Sequence, residues 1–412
     1  MNSKLNWWGK FKSFVQSNLD LLHLFLLFFI IFTFSLNLFY KISLDGAYVH
    51  GLLIDYLIPK FYLAEIFLLP FLLLNLHQLK KIKLNTFFCL LVILLLLRQL
   101  FSTSALAAFT HLIHLLEVFL FFSVVRSNPL FKTKRAEKFI LSSLLAVVIF
   151  QSLLAVYQFV FQQSLLAYQF LGETNLRDLA NISRAQFAFG ERILPYGTLA
   201  HPNVLAGLIT ILSILLINKS KGSIKAQVLL LANALLIIFL TQSFSALLTL
   251  GLFGLYLLLD RIKAKKAILF ITYYFFLLFL PYLLSGSVYG KLDTNSVNRR
   301  NALNQAAFAM FEANPLFGVG INNFTIQVEK YAGAAINQEI VRFVQPVHNL
   351  LFLILSEGGL LLLIILFFLI RQVKIERFYQ KTLILLAIAS LDHYLLTQFS
   401  GLGLTALFYL LI

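Results

Sequence analysis

A chain of 412 residues with 60% hydrophobic and 12% charged side chains has too little polar surface to wrap a soluble globule of its size. Its formal net charge of +16 needs no nucleic acid to account for it, because membrane topology signals supply most of the excess. The single cysteine, Cys89, leaves no pair for a disulfide, a zinc centre or a thiol redox couple, and no Walker, dinucleotide-binding or zinc-hydrolase pattern occurs.

Apolar runs of about 17 to 25 residues, the length that crosses roughly 30 Å of hydrocarbon, recur along almost the whole chain. They predict an all-α, polytopic integral membrane protein of about twelve spans, beginning near Leu19, Phe61, Leu84, Ala105, Phe139, Leu199, Ala226, Phe244, Ala267, Val347, Thr382 and Gly401. The third, seventh and last are short. The first follows a basic stretch but is too long for a signal-peptide core and lacks a cleavage site, so it reads as a retained signal anchor.

With the N-terminus inside, six short segments carry the basic clusters: the N-terminus, Lys80 to Lys83, Arg126 to Lys138, Lys219 to Lys225, Arg261 to Lys266 and Arg371 to Lys381. These hold about 22 of the 33 basic side chains in about 60 residues, a positive-inside bias. Two outer segments are long enough to build something, Ser164 to about Thr198 and Ser285 to about Pro346. The division expected is an N-terminal membrane region over 1–284 with about nine spans, a large outer loop over 285–346, and a C-terminal membrane region over 347–412 with about three.

In the longer outer segment, Leu303, Ala307, Met310 and Phe311 recur at helical spacing within Arg299 to Ala313, and Asn314-Pro315 ends the run. This predicts an amphipathic helix lying on the bilayer or over a cavity. A Phe317-Gly318-Val319-Gly320 turn follows, then a second helix from about Asn323 to Val344.

The polar groups at the outer ends of the spans must carry any chemistry. Six arginines fall in the two long outer segments: Arg177, Arg184, Arg192, Arg299, Arg300 and Arg342. Guanidinium groups suit diphosphates because their planar donor fork matches phosphate oxygens and stays charged, although outer arginines also contact lipid headgroups. His348 stands where the outer segment turns into an apolar span, at the depth where water meets hydrocarbon, and is a candidate general base. In His201-Pro202-Asn203 the proline suits a first helical turn, and Thr198 is positioned to cap it; His201 and Asn203 are also candidates for substrate positioning. Glu65, Glu117, Glu357 and Asp392-His393 lie within spans, where a charge costs about 2.5 to 3.5 kcal/mol, so each should be neutral, paired or beside a wet cavity. Glu357, about 13 Å along a helix from His348, is too far to orient the imidazole.

Four stretches together resemble the O-antigen ligase and O-antigen polymerase superfamily: Pro195-Tyr196-Gly197-Thr198-Leu199-Ala200-His201-Pro202-Asn203-Val204-Leu205-Ala206-Gly207; Arg300 followed by Ala306-Ala307; Asn314-Pro315-Leu316-Phe317-Gly318-Val319-Gly320-Ile321-Asn322-Asn323-Phe324; and His348-Asn349 with Glu357-Gly358-Gly359-Leu360. The related domain spans roughly 195–370. The resemblance implies a membrane glycosyltransferase that moves a glycan from an undecaprenyl diphosphate carrier to an acceptor hydroxyl of a lipid, a glycan or a protein. Transfer would occur on the outer face of the cytoplasmic membrane, facing the periplasm or exterior, in surface polysaccharide assembly, with no cofactor or metal. It carries over His348 and Arg300 as catalytic, and the set Arg300, Arg299, Arg192, Arg98 and Arg342 as donor diphosphate-binding. His201, Asn203 and Asn349 become candidates for positioning substrate.

One departure stands out. The family's Thr-x-Ser-Arg-Gly-like sequence reads Thr241-Gln242-Ser243-Phe244-Ser245-Ala246, without the arginine, and Arg98 and Arg192 are the substitutes read from the sequence. The alternative reading is a transporter or flippase of a lipid-linked or anionic solute, using the outer arginines for capture and the intramembrane acids for coupling.

Overall fold

The structure, a computed structural model, describes residues 2–42, 45–80, 85–165, 167–176, 182–220, 223–261, 294–332, 344–373 and 378–411. It is mostly helical. α1 (Asn2–Phe34) leads into two small antiparallel ribbons, β1 (Phe39–Lys41) with β4 (Lys60–Tyr62), and within them β2 (Tyr48–Val49) with β3 (Leu52–Leu53). Then come α2 (Glu65–Leu74), α3 (Leu76–Leu79), α4 (Thr86–Gln99), α5 (Ala105–Ser127) and α6 (Lys134–Phe161), followed by the hairpin of β5 (Arg184–Phe187) and β6 (Gly190–Ile193). Next are α7 (Pro202–Lys219), α8 (Ile224–Thr241), α9 (Phe244–Arg261), α10 (Thr294–Ala313) and α11 (Phe324–Tyr331). The last are α12 (Leu350–Val373), α13 (Phe378–Leu391), α14 (Tyr394–Thr397) and α15 (Phe399–Leu411).

Among the described residues, six helices are long and apolar enough to cross a membrane: Lys12–Phe34, Ala105–Ser127, Lys134–Phe161, Pro202–Lys219, Ile224–Thr241 and Leu350–Ile370. Shorter apolar helices stand at the second, third, eighth and last expected positions, Glu65–Leu74, Thr86–Gln99, Phe244–Leu257 and Phe399–Leu411. The seventh, short by sequence, is a full 18-residue helix. The position near Thr382 is the 14-residue α13, and the one near Ala267 lies outside the described residues, as do Ser285, Arg177 and Arg342. By length and composition these apolar helices are those of a membrane-embedded protein.

Local chemistry sets several helix starts. Asn85, Ser104, Thr133 and Ser223 accept the backbone N–H groups of Phe87, Ala107, Ala136 and Ala226, which would otherwise lack partners at an N-terminus. α7 is the central helix, since every residue from Val204 to Leu216 is buried and no polar stripe remains. It packs against α6, α8, α9 and α15.

The amphipathic reading of the outer segment holds. α10 buries Leu303, Ala306, Ala307 and Met310 against Val319, Phe324, Val328, Val347 and Leu353. Of the second outer helix, α11 covers Phe324–Tyr331, with Ala332 extended and Val344 not helical, while the expected stretch 333–343 lies outside the described residues. The segment between α1 and α2, which the sequence reading left without a role, is the other difference. Its ribbons place Asp55, Tyr56 and Lys60 on the cavity described below.

The Glu-Gly-Gly sequence breaks α12. Gly359 sits at φ 59°, ψ −160°, a region open essentially to glycine. The break lets the Pro315–Gly320 turn lie against the helix backbone. Val319 and Gly320 donate to the carbonyls of Ser356 and Glu357, at 2.8 and 2.9 Å, and Leu360 and Leu361 donate to Pro315 and Leu316, at 2.9 and 3.0 Å. A Cβ on Gly359 would come within 2.6 Å of the Leu316 carbonyl carbon. Gly359→Ala is therefore expected to cost at least about 1 to 3 kcal/mol, seen as a lower thermal midpoint of the purified protein in detergent.

Candidate active site

A cavity of about 850 Å3 opens between the HisProAsn helix, the two outer elements and the C-terminal helices. Its wall includes Arg184, Arg299 and Arg300, then His201 and Asn203, then His348, Asp392 and His393, with Asp55, Tyr56, Lys60, His111 and His114 also lining it.

The HisProAsn wall is held by α6. Gln151 and Gln158, seven residues apart and so on one helix face, turn their amides onto the Tyr196-Gly197-Thr198 backbone. Gln158 Oε1 accepts from the N–H of Tyr196 and of Gly197, at 2.9 and 2.7 Å, and its Nε2 donates to the Gly197 carbonyl at 2.9 Å. Gln151 Oε1 accepts from Thr198 N–H at 3.1 Å, while its Nε2 donates to Thr198 Oγ1 at 2.6 Å and to the Ser35 carbonyl at 3.1 Å. Gly197 takes φ 60°, and a Cβ there would strike Gln151 Oε1 at 2.3 Å.

His201 itself caps α7, correcting the expectation that Thr198 would. Its Nδ1 accepts the Asn203 N–H at 3.1 Å. A nitrogen that accepts a backbone N–H carries no proton, so Nε2 bears it and donates to Ser183 Oγ at 3.1 Å. His201 is exposed to the cavity, and desolvation, with His348 and Arg300 and against Asp392, lowers its pKa; the acceptor role of Nδ1 itself requires the neutral ring. The ring is thus neutral, with both nitrogens engaged.

His348 lies just before α12, and its Nδ1 is 3.8 Å from Asp392 Oδ1. That is beyond hydrogen-bond length, and Nδ1 has no hydrogen-bond partner. Asp392 occupies the break between α13 and α14, where its Oδ1 accepts the His393 N–H at 2.9 Å. The His393 ring is 5.1 Å from that of His348, and its Nδ1 is 2.7 Å from Thr397 Oγ1. Ligating atoms of His348, Asp392 and His393 lie within 4.8 Å of one another, so these three could hold a cation. A cation there would take an imidazole lone pair that a base needs.

Arg300, near the start of α10, donates from a terminal guanidinium nitrogen to the carbonyl of Leu391 at 3.2 Å, one residue before Asp392. Arg299 lines the same wall. The structure therefore brings together His348, Arg300, Arg299, His201 and Asn203 among the residues read from the sequence. It separates others. Arg98 donates to the Gly318 carbonyl at 3.1 Å and supports the glycine turn, and Arg192 stands over the Phe189 ring at 5.6 Å; neither lines the cavity. Asn349 is buried and accepts the Phe352 N–H at 3.1 Å, capping α12.

Arg184 takes the place expected of Arg192. In the β5–β6 ladder Arg184 pairs with Ile193 and Ala185 with Arg192. Alternation therefore points the two arginines to opposite faces, and Arg184, 3.4 Å from Glu191, is the one at the cavity. Phe244, at the position of the missing arginine, does not line it.

Sequence reasoning read Asp392 as paired or beside a wet cavity, where the structure places it, but did not join it to His348, and it missed Gln151 and Gln158 as contributors. The signal was available, since each is a polar residue inside an otherwise apolar run. Glu357 accepts from the backbone of Asn322 and Phe324, at 2.9 and 2.8 Å, and from the Tyr56 hydroxyl at 3.0 Å. It anchors the outer loops, consistent with its distance from His348. On the far rim Asp55 is 2.7 Å from Lys41. Burial raises the Asp55 pKa, but Lys60 and Lys41 outweigh it and hold the carboxyl below its ordinary value.

No curated protein matches the chain. Residues 228–367 match the family model described as O-Antigen ligase, a stretch that contains Arg300, the Asn314-Pro315 turn, His348 and the Glu-Gly-Gly break. The resemblance carried by the sequence motifs is thereby borne out over about a third of the chain, which over that stretch is similar to the O-antigen ligase family.

Proposed function

We propose that this protein moves a glycan from an undecaprenyl diphosphate carrier to an acceptor hydroxyl on the outer face of the cytoplasmic membrane, in surface polysaccharide assembly. The observation that carries the reading is the meeting of His348, Asp392 and Arg300 on one cavity wall.

Transfer at an anomeric carbon needs a base on the acceptor and fixed positive charge where the leaving group develops its own. In this reading Asp392 steadies the Nδ1 side of His348, and Nε2 takes the acceptor proton. The acceptor oxygen bonds to the anomeric carbon, the bond from that carbon to the diphosphate oxygen breaks, and the electron pair leaves with the diphosphate. Arg300, Arg299 and Arg184 hold that charge, with Arg342 a further candidate from outside the described residues. His201 and Asn203 shape the wall beside them. No metal takes part in the transfer. The arrangement of two membrane regions, 1–284 and 347–412, about an outer loop at 285–346 supplies lipid-facing helices for the carrier's tail. A domain reaching from about 195 to 370 would include the HisProAsn start as well as the matched residues.

The test is purified protein in lipid with undecaprenyl-diphosphate-linked glycan, with and without chelator, offered lipid, glycan and peptide acceptors separately. Transfer that survives chelation supports the reading and identifies the acceptor class. Absence of transfer to every acceptor, together with movement of the carrier across the bilayer, would replace it by a transporter.

A further inference from the structure

Beyond the transfer site, α2 and α5 bring two carboxylates and an imidazole to one point behind the cavity wall. Glu65 opens α2, and His114 and Glu117 stand three residues apart on one face of α5. One ligating atom from each lies within 4.8 Å of the other two, and His114 Nε2 is 3.8 Å from Glu65 Oε1. All three are more than nine-tenths buried, with exposures of 5, 7 and 8%.

Two buried carboxylates beside one imidazole need compensation. Glu65 Oε2 accepts the Tyr62 N–H, which leaves Oε1 facing His114. Glu117 Oε2 has no hydrogen-bond partner at all. Lys60 stands over the Phe39 ring at 4.6 Å. The rings of Tyr62 and Phe399, each 5.1 Å from that of His114, wall the cluster with apolar surface.

Two hard oxygens and one borderline nitrogen suit a first-row transition-metal dication, and the imidazole disfavours magnesium and calcium. Bonds of about 2.1 Å in a tetrahedral site give ligand separations of about 3.4 Å, so small side-chain movements would close this cluster on an ion. His114 also lines the cavity, which provides an access path and room for a water as fourth ligand.

We infer that Glu65, His114 and Glu117 bind one divalent transition-metal ion, of the zinc or manganese class, which ties α2 to α5 beneath the cavity. The site is separate from the residues of transfer and departs from the sequence expectation of a metal-free protein.

The experiment uses tag-free full-length protein in lipid nanodiscs, stripped with chelator and titrated with Co2+, then with Zn2+ as competitor. Visible absorption of bound Co2+, metal content after desalting and the thermal midpoint are read. Wild type and His348→Ala are each expected to retain one Co2+ per chain, displaced by Zn2+, with a raised midpoint. Glu117→Gln and His114→Ala are expected to bind at least tenfold more weakly. No retained ion in the wild type would overturn the proposal, leaving the two carboxylates to share a proton. So would retention lost in His348→Ala but kept in Glu117→Gln. Should both cluster variants fail to fold, wild-type stoichiometry and the midpoint shift still decide.

Discussion

Replacing His348 by alanine is expected to lower glycan transfer by about 10²- to 10⁴-fold, the span of a positioned general base, while leaving expression and thermal midpoint unchanged. The stability half of the prediction follows from packing. His348 sits at the cavity wall with its Nδ1 unengaged, so truncation strands no hydrogen-bond partner. Asp392→Asn should reduce turnover less and leave the KM for acceptor nearly unchanged, because Asp392 acts on the imidazole and not on the substrate. Initial rates against acceptor concentration separate the two. Wild-type turnover in His348→Ala would remove the base from the mechanism.

Arg300→Ala is expected to cost about 10²- to 10³-fold in rate and to raise the KM for the diphosphate-linked donor, the scale of losing one preorganised partner of developing charge. Arg300→Lys should recover little. Arg300 already donates one N–H to the Leu391 carbonyl, and only a planar fork offers further donors to phosphate oxygens at the same time. A lysine must give up one contact or the other. Donor titrations of wild type, Arg300→Ala and Arg300→Lys test this directly, and full activity in the lysine variant would mean that charge alone suffices.

The helical frame was legible because a membrane imposes a length. Spans such as Lys134–Phe161 and Leu350–Ile370 announce themselves as apolar runs, and α10 as a stripe of Leu303, Ala307 and Met310. His348 and Arg300 were legible from their neighbours in sequence. Asp392 was not paired with His348 beforehand, since 44 positions separate them and only the break between α13 and α14 brings them together. Arg192 was preferred to Arg184 because composition cannot reveal strand register. The ribbons over 39–62 were missed because two- and three-residue strands carry no periodicity to detect. His201 was not foreseen as its own helix cap, a role more familiar in serine, threonine, asparagine and aspartate.

The α6 glutamines reverse the usual ranking of substitutions in a membrane. Leucine in place of Gln158 would suit lipid better by hydropathy, yet it would leave the buried N–H groups of Tyr196 and Gly197 without partners and the Gly197 carbonyl with only a 3.5 Å contact from the Tyr168 hydroxyl. Glutamate, far costlier for a bilayer on any transfer scale, would keep both acceptor contacts. At Gln151 and Gln158 the harm done by a variant is thus set by the backbone it abandons and not by its affinity for lipid, and a tolerance map ordered by hydrophobicity would read backwards at these two positions.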